Sequence, residues 1–294
     1  MLLAALVGAC AGGGAEAGGE PRRPLVMTTF TVLADMTRVV AGDLLRVESI
    51  TKVGAEIHGY EPTPDDLRRA DGADLILDNG LGLEAWFAQF VERVDAPHVV
   101  ISEGVTAIPI ADDAYAGRPN PHAWMSPLMA VTYVDNIAAA LSRLDPPHAA
   151  TYQANAAAYR DRIAEVHHEM LEQLAVLPPG QRALVSCEGA FTYLTRDAGL
   201  IERYLWAVNA EGQATPRRVA ETIEYVRANG VPAVFCESTV SDSLQRQVAR
   251  ESGARFAGTL YVDSLSETDG PVPTYLDLLR HDVGTIVAGL LGRT

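Results

Sequence analysis

The chain has 294 residues, 48% of them hydrophobic, and at about 150 residues per domain its length suits two packed domains. A formal charge of −15 excludes nucleic acid as a partner, because phosphate recognition needs clustered Lys and Arg. Lys52 is the only lysine, an arginine bias that reads as GC-rich coding rather than function.

Residues 1–9 (MLLAALVGA) are small and apolar, and Cys10 follows. Val7-Gly8-Ala9-Cys10 resembles the lipobox at which bacterial lipoproteins are cleaved, leaving the cysteine to be acylated. The segment is too short to span a bilayer, which takes about 20 apolar residues. No Lys or Arg precedes it, so an ordinary apolar N-terminus is the alternative. Residues 11–24 (AGGGAEAGGEPRRP) read as a flexible tether with a reach of roughly 20 Å. Beyond it no apolar run approaches membrane-spanning length.

Short β-branched runs then alternate with amphipathic segments, the pattern of α/β units with parallel sheets. The first lobe, residues 25–147, is expected to hold strands at 25–30, 46–52, 74–78 and 98–101. Its helices are expected at 33–42, 64–70, 83–94 and 127–144. Asp145-Pro146-Pro147 breaks the chain, and residues 148–177 read as one stiff linker helix of good helix formers, stopped by Pro178-Pro179. The second lobe, residues 178–294, repeats the alternation, with strands at 183–187, 203–207, 233–236 and 256–262. Helices follow at 190–198, 216–229, 241–252 and 273–291, with Ser241 as N-cap of the third.

Parallel α/β sheets bind ligands at the carboxyl ends of their strands, and pockets favour domain interfaces. His58 and His122 follow strands of the first lobe; Glu188 and Asp263 follow strands of the second. Two imidazoles and two carboxylates suit a divalent cation, the carboxylates cancelling its charge. Spacing alone leaves satisfied polar residues as the plainer reading.

The words around these positions are GAEIHGYEPTPDD, ADLILDNGLGLEAWF, NPHAWMSP, VSCEGAFTYL, VFCESTVSD and LYVDSLSETDGPVPTYLDLL. From residue 25 to the C-terminus they resemble the manganese, iron and zinc substrate-binding lipoproteins of bacterial ABC importers. The resemblance implies two α/β lobes joined by a rigid helix, with the metal site in the cleft. It implies His58, His122, Glu188 and Asp263 as metal ligands, no catalysis, and delivery of the metal to a membrane permease. The expected protein is an extracytoplasmic monomer anchored through lipidated Cys10. Glu56-Ile57 stands where many members have Asp-Pro, Cys187 where Ser or Thr is common, and Ala207 where Pro is frequent.

Zinc-type members usually place a histidine at the third ligand and carry a His-rich loop before the second. Here the third is Glu188, and residues 104–121 contain Asp112 and Asp113 but no histidine. An extra oxygen donor suits the harder Mn²⁺ or Fe²⁺, while the intrinsic affinity order keeps Zn²⁺ as the alternative. A metal-dependent hydrolase is the rival from another class; it would need an open coordination position carrying water.

Other features have plainer readings. Gly80 to Ala85 matches GxGxxA, but Glu84 would face a pyrophosphate, so a tight turn with Glu84 at a helix start is expected. Cys187 and Cys236 read as buried thiols, with a disulfide as the alternative. His167 and His168 are expected in solvent; His98, His148 and His281 lack an acidic strand-end context and read as structural or surface. Trp124, Tyr60, Asn79 and Glu237 are expected around the ligands, to fix imidazole tautomers.

Overall fold

The computed structural model describes residues 22–111, 115–208 and 214–293. Cys10 with its apolar segment, most of the tether, and Asp112 and Asp113 therefore lie outside the described residues. The fold is two-lobed α/β with parallel sheets and one long helix between.

The first lobe runs β1 (Leu25–Thr28), α1 (Thr31–Ala41), β2 (Arg46–Ser49), α2 (Pro64–Ala70), β3 (Leu75–Asp78), α3 (Phe87–Val91), β4 (His98–Val100) and α4 (Pro127–Leu144). Its strands pair in parallel in the order β2-β1-β3-β4. Side chains alternate across this sheet: Val26 and Leu77 point into the main core, Met27 and Ile76 into a second cluster with Phe87 and Phe90. Helix starts follow local chemistry. Thr63 and Asp66 form a reciprocal capping box ahead of α2, and Ser126 caps α4 before Pro127.

Helix α5 (Ala149–Ala175) spans 27 residues, about 40 Å at 1.5 Å per residue. Tyr152, Ala156, Tyr159, Ile163, Val166, Met170 and Leu174 bury one stripe of it against α1, α4 and a C-terminal helix, α9 (Tyr275–Leu290). The Asn155 amide donates to the Val40 carbonyl at 3.0 Å, and Arg280 pairs with Glu169 at 2.9 Å. The spacer is thus fastened to both lobes. One apolar cluster runs through both lobes and this helix.

The second lobe adds β5 (Ala183–Glu188), α6 (Thr192–Ala198), β6 (Ile201–Trp206), α7 (Pro216–Ala228), β7 (Ala233–Glu237), α8 (Ser243–Ser252) and β8 (Arg255–Leu260) before α9. β5 pairs with β6 and β7 with β8, all parallel. The two pairs meet at β5 and β7. There Gln245 donates to the carbonyls of Val185 and Phe235, and Cys187 and Cys236 form a disulfide with Cα atoms 4.9 Å apart.

That disulfide corrects the buried-thiol expectation. A separation of 49 residues does not reveal that the two strands are neighbours, whereas 4.9 Å is the ordinary spacing between adjacent strands. Two further differences are local. Helix α3 is shorter than the expected 83–94, and it follows a turn in which Gly80, Leu81 and Gly82 all take positive φ. A side chain at Gly80 would also meet Val100 Cγ1 at 2.4 Å. Asp242, not Ser241, occupies the N-cap of α8; the Ser241 hydroxyl accepts weakly from the Ser243 N–H at 3.4 Å.

Replacing both cysteines with alanine is expected to lower stability by about 2–4 kcal/mol, mainly by freeing the unfolded chain. Urea midpoints of the oxidised protein and the variant measure this; equal midpoints contradict it.

Candidate metal centre

Each of the four singled-out side chains is delivered by a different strand end. His58 lies in the irregular segment after β2, His122 just before a 3-10 turn at Ala123–Met125, Glu188 at the last position of β5, and Asp263 three residues beyond β8. All four are buried, none more than 5% exposed. The structure brings them together. His58 Nε2 lies 3.2 Å from His122 Nε2 and 3.2 Å from Glu188 Oε1, while His122 Nε2 lies 3.9 Å from Glu188 Oε1 and 4.0 Å from Asp263 Oδ1. One donor atom from each lies within 4.8 Å of all the others. Donors sharing a cation at about 2.1 Å in a tetrahedron stand about 3.4 Å apart, so a small contraction would complete such a shell. Asp263 Oδ1 is buried without a hydrogen bond, a costly state unless something else meets it.

The charge state follows from burial and neighbours. Burial pushes His58 down, but the adjacent Glu188 carboxylate, aided by Asp263 and Glu56, outweighs it and lifts its pKa to about 9. Burial drives His122 to about 3, against the pull of Glu188 and with the push of His58. Burial and the Glu188 charge raise Asp263 to about 8, against His58. Without metal, then, His58 is an imidazolium facing Glu188, and His122 is neutral. Protons hold the place a cation would take.

Which groups surround these four side chains was only partly foreseen. Asn120, not among the expected residues, accepts both the His122 backbone N–H and the His122 Nδ1–H at 3.0 Å, which leaves Nε2 free to bind. Its amide donates to the Gly189 carbonyl at 2.7 Å and to Thr192 at 3.0 Å, so it ties His122 to the turn after Glu188. The NPH sequence held that signal, an amide two residues before His122. Trp124 packs on His122 with centroids 5.2 Å apart and donates to the Val262 carbonyl beside Asp263. Asn79 donates to the Pro121 carbonyl and accepts from Tyr133. Glu237 accepts the Glu188 N–H at 3.2 Å; burial and the Glu188 and Asp263 charges raise its pKa well above the usual carboxylate range. Tyr60 instead bonds Asp66 and stands edge-on to Trp86.

Asn120→Ala is expected to weaken metal binding roughly 10–100-fold, the usual range for such support. Competition titration against a chelator measures it; affinity within twofold of wild type contradicts it.

The other features resolve plainly. Glu84 lies ahead of α3, buried, accepting from Thr29, Asn79 N–H and Gly80 N–H, and it closes the turn rather than a phosphate site. His98 pairs with Asp78 at 3.2 Å and His148 with Asp145 at 2.7 Å, and both rings are about half exposed, in keeping with a surface role. His168 is exposed and pairs with Glu172, but His167 is half-buried, its Nδ1 covered by α5's packing. Cys187 faces the core and is oxidised, which removes it as a nucleophile.

A family model described as zinc-uptake complex component A, periplasmic (ZnuA), matches residues 26–289. The chain is 50% identical over 265 residues to the iron-binding protein YfeA of Yersinia pestis, covering 90% of this chain and 85% of that one. It is 31% identical over 291 residues to the manganese-binding lipoprotein MntA of Halalkalibacterium halodurans, covering 99% and 96%. The Mn-bound periplasmic metal-binding protein of Candidatus Liberibacter asiaticus superposes with a TM-score of 0.84 at 36% identity, over 91% of this chain and 99% of that one.

Proposed function

This chain belongs to the periplasmic zinc-uptake component A family of ABC-importer substrate-binding proteins, and on that premise we propose that it captures Mn²⁺ or Fe²⁺ outside the cytoplasm and hands it to a membrane permease. His58, His122, Glu188 and Asp263 are the ligands, and the protein catalyses nothing. One observation carries this reading: two imidazoles and two carboxylates from both lobes converge in a buried site, with an oxygen of Asp263 left without a hydrogen bond. Two ionised carboxylates neutralise the dication, and both histidines serve as neutral donors. Close burial leaves little room for the substrate and activated water a hydrolase needs.

Glu188 in place of a third imidazole favours the harder Mn²⁺ and Fe²⁺. The names of the relatives above, iron-binding and manganese-binding, support this; the zinc in the family's description keeps Zn²⁺ as the second reading. A lipidated Cys10, monomeric state and division into lobes 25–147 and 178–294 around the linker 148–177 complete the proposal. Relatives named lipoproteins support the anchor. Elemental analysis of protein from its native host, with competition among the three ions, tests it. One Mn or Fe per chain is the expected result; stoichiometric zinc favours the second reading, and no metal ends both.

A further inference from the structure

Three of the four proposed ligands are held by regular structure or by a bond to the ring. Glu188 belongs to the β5–β6 ladder, paired with Trp206. Asn120 grips the His122 ring. Asp263 accepts from Thr239 and is followed at once by Ser264 and Leu265, which bond across the cleft to Gly54 and Thr31. His58 is different. It sits in a stretch with no helix or strand between β2 and α2, and among the described residues the hydrogen-bonding and ion-pair partners of its ring are the other site residues His122 and Glu188. Its direction must therefore be set through its backbone.

Two side chains reach that backbone. The Trp86 indole donates to the Ile57 carbonyl at 2.9 Å. The Glu56 carboxylate spans the turn, one oxygen accepting the His58 N–H at 2.7 Å and the other the Gly59 N–H at 2.8 Å. Both bonds are short and charge-assisted, the stronger class of hydrogen bond. They fix the peptide planes on either side of His58, as a rigid proline would fix one of them by its ring.

From this geometry, and resting on the metal-capture reading, we infer that Glu56 is the positioning residue for His58, a carboxylate brace that sets how long the metal stays bound. Losing it frees the turn without touching the other three ligands. A ligand that must be ordered at each binding event binds more weakly and leaves sooner. The loss falls on dissociation, not on the fold, because Glu56 is half-buried and its carboxylate bonds lie within its own turn.

The test uses the full chain, Mn²⁺ as probe, stopped-flow chelator capture for dissociation, and urea midpoints of the metal-free protein. Glu56→Ala is expected to raise the dissociation rate about 10-fold or more, with an unchanged midpoint. Glu56→Gln, which keeps one acceptor and no charge, is expected to recover several-fold of that loss, at low salt and at 1 M NaCl alike. Glu56→Ala dissociating within twofold of wild type overturns the inference. So do Gln and Ala variants that are equal and converge on wild type at high salt, which marks a field effect instead. A midpoint that falls in step with the affinity also overturns it, since the role is then structural. A wild-type chain that takes up none of Mn²⁺, Fe²⁺ or Zn²⁺ overturns the metal-capture reading itself and this inference with it.

Discussion

Replacing Asp263 or Glu188 with alanine is expected to lower Mn²⁺ affinity roughly 10³-fold, beyond the effect of losing outer support, because each removes a ligand and half of the neutralising charge. The two variants should part in the metal-free state. Asp263 is a buried acid with one oxygen unbonded, so Asp263→Ala relieves a desolvation cost and leaves the metal-free protein at least as stable. Glu188 is the counter-ion that keeps His58 charged. Glu188→Ala strands that imidazolium, which must lose its proton or destabilise the fold. Chelator competition and metal-free urea midpoints at neutral pH measure both. Asp263→Ala affinity within tenfold of wild type contradicts the ligand assignment; equal midpoints for the two variants contradict the charge assignment.

The second large effect is with pH. His58 at about 9 and Asp263 at about 8 both carry protons in the metal-free site at neutral pH, and a metal must displace them. Each displaced proton makes affinity fall about tenfold per pH unit of acidification, so between pH 7.5 and 5.5 a loss on the order of 10²–10⁴-fold is expected. The two sites interact, and the displaced protons belong to the pair.

The His58 and Asp263 contributions to the stability of the metal-free protein run the opposite way. A His58 pKa raised above its unfolded value stabilises the fold below about 6.5, and that contribution is lost as pH rises through about 9. Asp263 unfolded gives up its proton near 4 but holds it to about 8 when folded, so it too weakens the fold as pH rises between those values. The rise in melting temperature on metal loading should therefore be larger at pH 7.5 than at 5.5. A pH-independent affinity, or a loading shift that shrinks toward neutral pH, contradicts this.

Much of the architecture was legible because α/β alternation is a local signal. The helices at 64–70 and 127–144 coincide with α2 and α4, whose caps Thr63 and Ser126 and whose N1 prolines are written in adjacent residues. What escaped depends on contacts between distant residues. The turn at 80–82 depends on Gly80 passing close to Val100, on another strand. The Cys187–Cys236 bond required knowing that β5 lies beside β7. Near the site, the positions of His58, His122 and Asp263 beyond strands and of Glu188 at a strand end could be read from sequence, and their approach to one another is a matter of topology. Asn120 was missed because its role lies in where its amide points. Glu56 was noted only as a departure from Asp-Pro, and its two bonds to the following N–H groups give that departure a physical sense.

X-ray absorption on the Mn²⁺-loaded protein tests the shared-cation claim most directly, since imidazole rings leave an outer-shell scattering signature that carboxylates do not. The account predicts one Mn per chain with two imidazoles and oxygen donors completing the shell, and a single imidazole in both His58→Ala and His122→Ala. A spectrum with no imidazole scattering, or one unchanged in either variant, would contradict it.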